Sequence, residues 1–256
     1  MASSKPTTTI KVEPITAASD FARFFDITAL AFGHQLQDGI WIAMNPGWDT
    51  PAGREAGIAR LISRWKATTQ DRNNNPNTIF LKASIPRQGQ GQEGGGATDI
   101  AGVAIWVQAS TVEGYGDAPA TDISQAMDLE ALYPGNALEQ KYLRQLEFSL
   151  HRRRAEVVRE IASSSSPAAM VLDLCVVDPG FQRRGAASEL VLWGLEEAKR
   201  RGGLEALLEA SSMGRHAYRK LGFEQDGGEF EYLVDEEFGD RQRPSNIFMR
   251  TGRPAE

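Results

Sequence analysis

Asp178-Pro179-Gly180-Phe181-Gln182-Arg183-Arg184-Gly185-Ala186-Ala187 joins a short apolar run to an amphipathic stretch through a turn of small residues. The run before it, Val171-Leu172-Asp173-Leu174-Cys175-Val176-Val177, is aliphatic, rich in β-branched residues and short enough to be a half-buried strand. After it, Ala187, Leu190, Val191, Gly194 and Ala198 recur at helical spacing, with Glu196, Glu197, Lys199, Arg200 and Arg201 mostly off that stripe. A turn without bulky side chains at a helix start exposes unpaired backbone N–H groups, and the aligned peptide dipoles favour negative charge there by about 0.3–2 kcal/mol. The stretch therefore predicts a strand, an anion cradle that a diphosphate would fit, and a helix.

A second segment, Glu209-Ala210-Ser211-Ser212-Met213-Gly214-Arg215-His216-Ala217-Tyr218-Arg219-Lys220-Leu221-Gly222-Phe223, follows another apolar run, Leu204 to Leu208. Together the two segments resemble the acetyl-CoA-binding core of the GNAT superfamily of N-acetyltransferases. The family's first motif, Gln/Arg-x-x-Gly-x-Gly/Ala after a strand ending in Val-x-Pro, is matched by Val177-Asp178-Pro179 and Gln182 to Ala187. Its second, Tyr-x-x-x-Gly-Phe on a short helix, is matched by Tyr218, Gly222 and Phe223, and the Glu-Ala-Ser before it is common among fungal members. The resemblance is strong over residues 170–225 and faint elsewhere.

The resemblance implies an α/β fold with a mixed, mostly antiparallel sheet flanked by helices, acetyl-CoA as co-substrate and no metal. It implies that the backbone of Cys175, Val176 and Val177 pairs with the pantetheine arm as an added strand would. The amides of Arg183, Arg184, Gly185, Ala186, Ala187 and Ser188 would hold the pyrophosphate, with Gln182 and Ser211 also on the cofactor side. Tyr218 would sit near the thioester sulfur and protonate the departing thiolate. A phenol with an ordinary pKa of about 10 is protonated at neutral pH and suits that task, although Ala217 and Leu221 on the same helical face also allow it a packing role.

The acceptor side is less legible. A lysine-like amine has a pKa of about 10.4, so only about one in 2,500 is free base at pH 7, and unassisted deprotonation costs roughly 4.6 kcal/mol. Asp173 and Glu209 are the candidate bases. If strict alternation holds, Asp173 points away from a face formed by Leu172, Leu174 and Val176. An ordinary aspartate is a poor base for an amine, so a raised pKa or a water relay is required, and a structural role for each carboxylate stays open. His216 reads as a surface residue, His151 beside Arg152-Arg153-Arg154 as solvated, and His34 as part of the region that shapes the acceptor pocket. Three scattered histidines and one cysteine make no metal-ligand spacing, and Cys175 reads as a buried small hydrophobe.

Composition agrees. The 256 residues are 41% hydrophobic and 24% charged, enough for one good core, and the formal net charge of −6 argues against broad nucleic-acid binding. A single cysteine, no apolar leader after Met1 and no run of membrane-spanning length imply a soluble, cytoplasmic protein.

Along the chain, Ile10 to Ile15 is expected as a first strand, and Ser19 as the N-cap of a helix ending near Gly33. Phe32, Trp41 and Trp48 are candidates for the acceptor wall or ordinary core. Pro51 to Lys66 reads as a helix, Thr78 to Ser84 and Ile100 to Gln108 as a hairpin, and residues 86–99 as a flexible loop. Residues 110–168 read as a helical insertion between the third and fourth strands, with helices over Asp122 to Leu132 and Asn136 to Ile161, placed to form a lid or a homodimer face. Glu229 to Val234 and Ile247 to Arg250 are expected as the last strands, joined by Asp235-Glu236-Glu237. No second domain is apparent in residues 1–256.

The reading is direct transfer of an acetyl group from acetyl-CoA to a primary amine, since no activated nucleophile is evident. An acyltransferase using a longer acyl-CoA, and a catalytically silent acyl-CoA sensor or interaction module, are the alternatives. An acidic acceptor pocket near Asp173 or Glu209 would favour polyamines, lysines or aminoglycoside-like amines; one lined by Trp41 or Trp48 would favour arylalkylamines.

Overall fold

The computed structural model describes residues 9–87 and 98–252. The expected loop 86–99 falls mostly outside them; its ends, Pro86 and Thr98-Asp99, extend the hairpin strands. Seven strands form one sheet: β1 Lys11–Pro14, β2 Thr78–Pro86, β3 Thr98–Ala109, β4 Ala169–Val177, β5 Glu205–Ser211, β6 Glu224–Glu229 and β7 Asn246–Arg250. Their spatial order is β1-β2-β3-β4-β5-β7-β6, and every neighbouring pair is antiparallel except β4 and β5.

Helices cover both faces. On one lies α6, Ala186–Arg200, whose Leu190, Val191 and Ala198 pack on Trp106, Met170, Leu172 and Leu208. Gly194 lets that helix approach: a Cβ there would lie 2.0 Å from Cε2 of Trp106, which is fully buried. Burial of each such large apolar side chain contributes about 1.5–3 kcal/mol. The opposite face carries α1, Asp20–Thr28, α2, Gly39–Met44, and α3, Pro51–Lys66, with Phe21, Phe24 and Ile27 on Phe80, Ile105 and Val176. Two further helices, α4, Leu129–Leu132, and α5, Ala137–Glu160, come from the stretch between β3 and β4. The end of α5 lays Val157 and Val158 on Val171, Leu207 and Phe248. A short helix, α7, Arg215–Lys220, follows β5.

Local chemistry explains most boundaries. Thr50 caps α3 by accepting from Gly53 N–H, with Pro51 at the first helical position, and Asn136 caps α5 by accepting from Glu139 N–H. Four expectations need correction. Ser19 makes no side-chain cap, and its helix runs on past Thr28 as a π-helix over Ala29–Leu36, which ends at Gln37 in the left-handed region. Asp122 to Leu132 holds only a 3₁₀ turn, Ile123–Gln125, and the single turn of α4, because Asp122 and Asp128 each turn the chain by accepting from the amides ahead of them. The penultimate strand is Glu224–Glu229 rather than Glu229 to Val234, and Asp235-Glu236-Glu237 leads into a 3₁₀ turn over Glu236–Phe238. Leu233 N–H is instead taken by Ser149 Oγ of α5, which draws residues 230–235 away from the sheet.

The fourth correction concerns β4. Its register against β3 shifts so that Ile105 faces Leu174 and Trp106 faces Leu172, leaving Asp173 as the extra residue of a β-bulge. Alternation therefore breaks: Leu172 shares the α6 face with Cys175 and Val177, while Leu174 and Val176 turn to the α1 face.

Candidate active site

The turn after β4 leads straight into the start of α6. Arg183 and Gly185 both take positive φ, 62° and 99°, which reverses the chain between the 3₁₀ turn Pro179–Phe181 and α6. The first amide of α6 with a backbone acceptor is Glu189 N–H, to Gly185 O, so the N–H groups of Arg183 to Ser188 are free at a helix start. Asp178 stiffens the turn by accepting from Gly180 N–H at 2.7 Å and from Arg23. Gln182 ties it to the strand end by donating to Val177 O at 3.2 Å. The exposed Arg184 lies over the Phe181 ring, 5.3 Å from its centre.

Beside this turn the sheet opens. β4 and β5 pair only over Ala169–Leu172 with Glu205–Leu208, and beyond that point β5 pairs with β7 alone. Asp173, Leu174 and Cys175 lie in the middle of the sheet yet are only half-buried, whereas Ala169 to Leu172 and Val176 to Asp178 are buried. Glu209 and Ser211 on β5 are half-buried too. A half-buried fork thus enters the sheet where two parallel strands part, and it leaves one edge of β4 unpaired.

Tyr218 of α7 reaches into this fork. Gly214 makes room for its ring, since a Cβ there would lie 2.5 Å from Tyr218 Cε2, and Phe223 meets the ring edge-on at 6.0 Å. Tyr218 and Cys175 pack against the same core cluster and act on each other electrostatically. Burial, with Cys175 alongside, raises the phenol well above its ordinary value, and burial pushes the Cys175 thiol up to about 12 against the opposing influence of Tyr218. Both groups are protonated at neutral pH, and a phenol stands beside a sulfur.

The other wall of the fork is ionic. Asp173 accepts from Arg154 at 2.7 Å and from Arg64 at 2.8 Å; Glu209 accepts from Arg154 Nε at 2.9 Å and from its Nη2. Burial would raise the Asp173 carboxyl, but the Arg64 and Arg154 guanidiniums overcome it and hold the acid far below the carboxylate range. Glu209 shares only Arg154, and there burial wins and raises the carboxyl. Asp173, one of the two expected bases, is therefore locked as an ion-paired anion.

Helix α5 corrects two further expectations. Arg154 is 9% exposed rather than part of a solvated face. His151 is half-buried with Nδ1 at 3.4 Å from Oε2 of Glu147, a carboxylate that is itself 4% exposed. Glu147, His151 and Arg154 were obscured by the basic run around them. The available signal was spacing: Leu143, Glu147, Leu150 and Arg154 recur at helical intervals, so a carboxylate stands within an apolar stripe.

Asp38, which caps α2 by accepting from Ile40 and Trp41 N–H at 3.0 Å, has its carboxyl raised by burial. With Leu36, Ser211, Met213, Gln242 and Ser245 it lines a cleft of about 140 Å³ that opens beside the end of β5. A shallow hollow of about 520 Å³ around Ser124, Leu129 and Arg144 involves none of these groups. Trp41 packs on Phe25, Phe32 and Trp48, and His34 stands edge-on to Trp48 at 4.7 Å. His216 is exposed on α7. Among the described residues no group of His, Cys, Asp and Glu is placed to hold a metal ion, and no helix is long and apolar enough to cross a membrane.

Residues 126–232 match the family model described as acetyltransferase (GNAT) domain. The fold is similar to that of arylalkylamine N-acetyltransferase 2 from Aedes aegypti, at 17% identity over 94% of this chain and 97% of that one, with a TM-score of 0.55. It is similar also to the Drosophila melanogaster polyamine N-acetyltransferase that catalyses the formation of N-acetylagmatine, at 11% identity over 94% and 98%, TM-score 0.54. An agmatine N-acetyltransferase mutant in its apo form gives 12% identity over 94% and 97%, TM-score 0.56. No curated protein sequence matches that of this chain. The matched segment holds β4, the turn after it, α6, β5 and α7, so the strands of the fork and Tyr218 lie within the stretch that matches the GNAT acetyltransferase domain.

Proposed function

We propose that the protein transfers the acetyl group of acetyl-CoA directly to a primary amine of a small molecule or peptide. The observation that carries this reading is the unpaired edge of β4 where it parts from β5, beside a helix start whose first amides have no backbone acceptor, with Tyr218 and Cys175 packed against one core cluster. Acetyl-CoA supplies an acetyl group on a thioester. In this reading the free N–H groups of Arg183 to Ser188 hold its pyrophosphate, with Arg183 and Arg184 adding positive charge. The unpaired edge of β4 at Cys175, Val176 and Val177 takes the pantetheine arm as an added strand. Tyr218 gives its proton to the leaving sulfur.

Two features favour direct transfer to a cationic acceptor. The Cys175 thiol, pushed up to about 12, is not a nucleophile at neutral pH, so no acyl-enzyme forms on it. The fork carries the acids Asp173 and Glu209, and Trp41 is packed on Phe25 and Trp48, which suits an amine carrying positive charge better than an aryl group. The test is thiol release from acetyl-CoA across a panel of polyamines, lysine peptides and arylalkylamines, with calorimetry for acetyl-CoA binding. Amine-dependent release that falls roughly 10²-fold in Tyr218→Phe is the expected result. A protein that binds no acetyl-CoA overturns the reading.

A further inference from the structure

Direct transfer needs a group that relieves the acceptor ammonium of a proton, and the two carboxylates nearest the fork are both engaged with Arg154. Glu147 is not. Its Oε1 reaches neither solvent nor any hydrogen-bond partner, and its Oε2 lies 3.4 Å from Nδ1 of His151, one helical turn further on. The carboxylate keeps 5% of its side-chain surface and the imidazole 30%, so the ring is the more open of the two.

These groups stand beside the fork, since His151 precedes by three residues on α5 the Arg154 that bonds Asp173 and Glu209. Asp173 from β4, Glu209 from β5, Arg154 from α5 itself, Arg64 from α3 and Asp38 from the start of α2 all act electrostatically on the pair, and Tyr232 senses Asp38, Glu147 and Glu209 together. A buried carboxylate with one oxygen left unpartnered is costly to desolvate, and His151 Nδ1 is the nearest group to its other oxygen.

Resting on the acetyl-transfer reading, we infer that His151 and Glu147 are the acceptor-side proton relay: His151 Nε2 takes a proton from the incoming ammonium while its Nδ1 proton passes to Glu147. The freed nitrogen lone pair forms the C–N bond as the C–S bond breaks. The thiolate takes the Tyr218 proton, the second nitrogen proton restores Tyr218, and the relay proton is released to water. One ammonium and one thioester give one amide, one thiol and one proton.

Burial, with Asp173 adding to it, pushes the Glu147 carboxyl up to about 8 against Arg154. Burial and Arg154 push the His151 imidazole down to about 3. The pair thus carries one proton at pH 7 and becomes a base as the pH rises through about 8.

The experiment is the pH profile of kcat/KM for the best amine of the panel, in the full chain and in Glu147→Gln and His151→Gln, with acetyl-CoA affinity by calorimetry. Glutamine matches a protonated carboxyl in shape, so Glu147→Gln keeps the fold. The expected result is an acidic limb near pH 8 in the parent. Both variants should lose roughly 10²-fold in kcat/KM with acetyl-CoA affinity within about twofold, and Glu147→Gln should move the limb to lower pH. A variant that keeps the parent's rate and profile overturns the relay alone, as does a loss of activity that tracks a loss of acetyl-CoA binding. A parent that binds acetyl-CoA and acetylates no amine overturns the transfer reading and the relay with it.

Discussion

Arg154 donates from Nε to Glu209 Oε1 at 2.9 Å, and its other nitrogens reach the second Glu209 oxygen and Asp173 on the neighbouring strand. A single guanidinium from the stretch between β3 and β4 therefore spans the fork at the point where β4 and β5 part. The planar array of donors suits two carboxylates better than a lysine would.

Replacing Arg154 by methionine removes, among the described residues, the only cation on Glu209 and one of two on Asp173, inside a region where these side chains are 6–17% exposed. Breaking a buried pair from one side costs about 3–5 kcal/mol. The sign with pH follows from Asp173, whose folded-state carboxyl is held below its unfolded value: its stabilisation is present above about pH 4 and fades as the pH falls through the folded value. The deficit of Arg154→Met in urea unfolding is thus expected to be largest at pH 7 and smaller at pH 2, below the unfolded value of the acid. An equal deficit at pH 7 and pH 2 would contradict the ionic account.

Gly185 holds φ at 99° where a Cβ would meet only Ile10 Cδ1, at 3.5 Å. Space is not the constraint; backbone conformation is, at about 1–2 kcal/mol for a residue with a side chain. Gly185→Ala is expected to lose about that much stability and, by relaxing the turn, to spoil the convergence of the amides from Arg183 to Ser188. Calorimetry should show acetyl-CoA binding at least tenfold weaker, an effect well beyond the stability loss. Unchanged affinity would mean that these amides do not hold the pyrophosphate.

The parts of the site that local chemistry dictates were readable in advance. Gly185 and the small residues after it announce a turn and a helix start, and Tyr218, Gly222 and Phe223 have their own local spacing. The face on which Asp173 lies was not readable, because a one-residue bulge against Ile105 and Trp106 flips the strand and leaves no mark in its apolar pattern. Arg154 and His151 were hidden for a different reason. In Arg152-Arg153-Arg154 the three side chains are chemically alike, and only the tertiary placement of α5 over the fork decides that Arg152 is exposed while Arg154 is buried against two acids. Glu147 would have needed a judgement that an apolar stripe deliberately contains a carboxylate.

Cys175, the only cysteine, offers a probe of the fork that is independent of turnover. Burial pushes its thiol up to about 12, so the thiolate appears only as the pH rises far above neutrality. Against a free cysteine of pKa about 8.5, the thiolate fraction at pH 8 is lower by roughly a thousandfold, and alkylation should slow accordingly. Intact-mass measurement of iodoacetamide labelling at pH 8 should find the chain largely unmodified when a free thiol has reacted completely. Tyr218→Phe removes the hydroxyl that favours the thiolate and should slow labelling further, while its ring still fills the space beside Gly214. Faster labelling in that variant would show that Tyr218 shields the sulfur sterically and does not act through its hydroxyl.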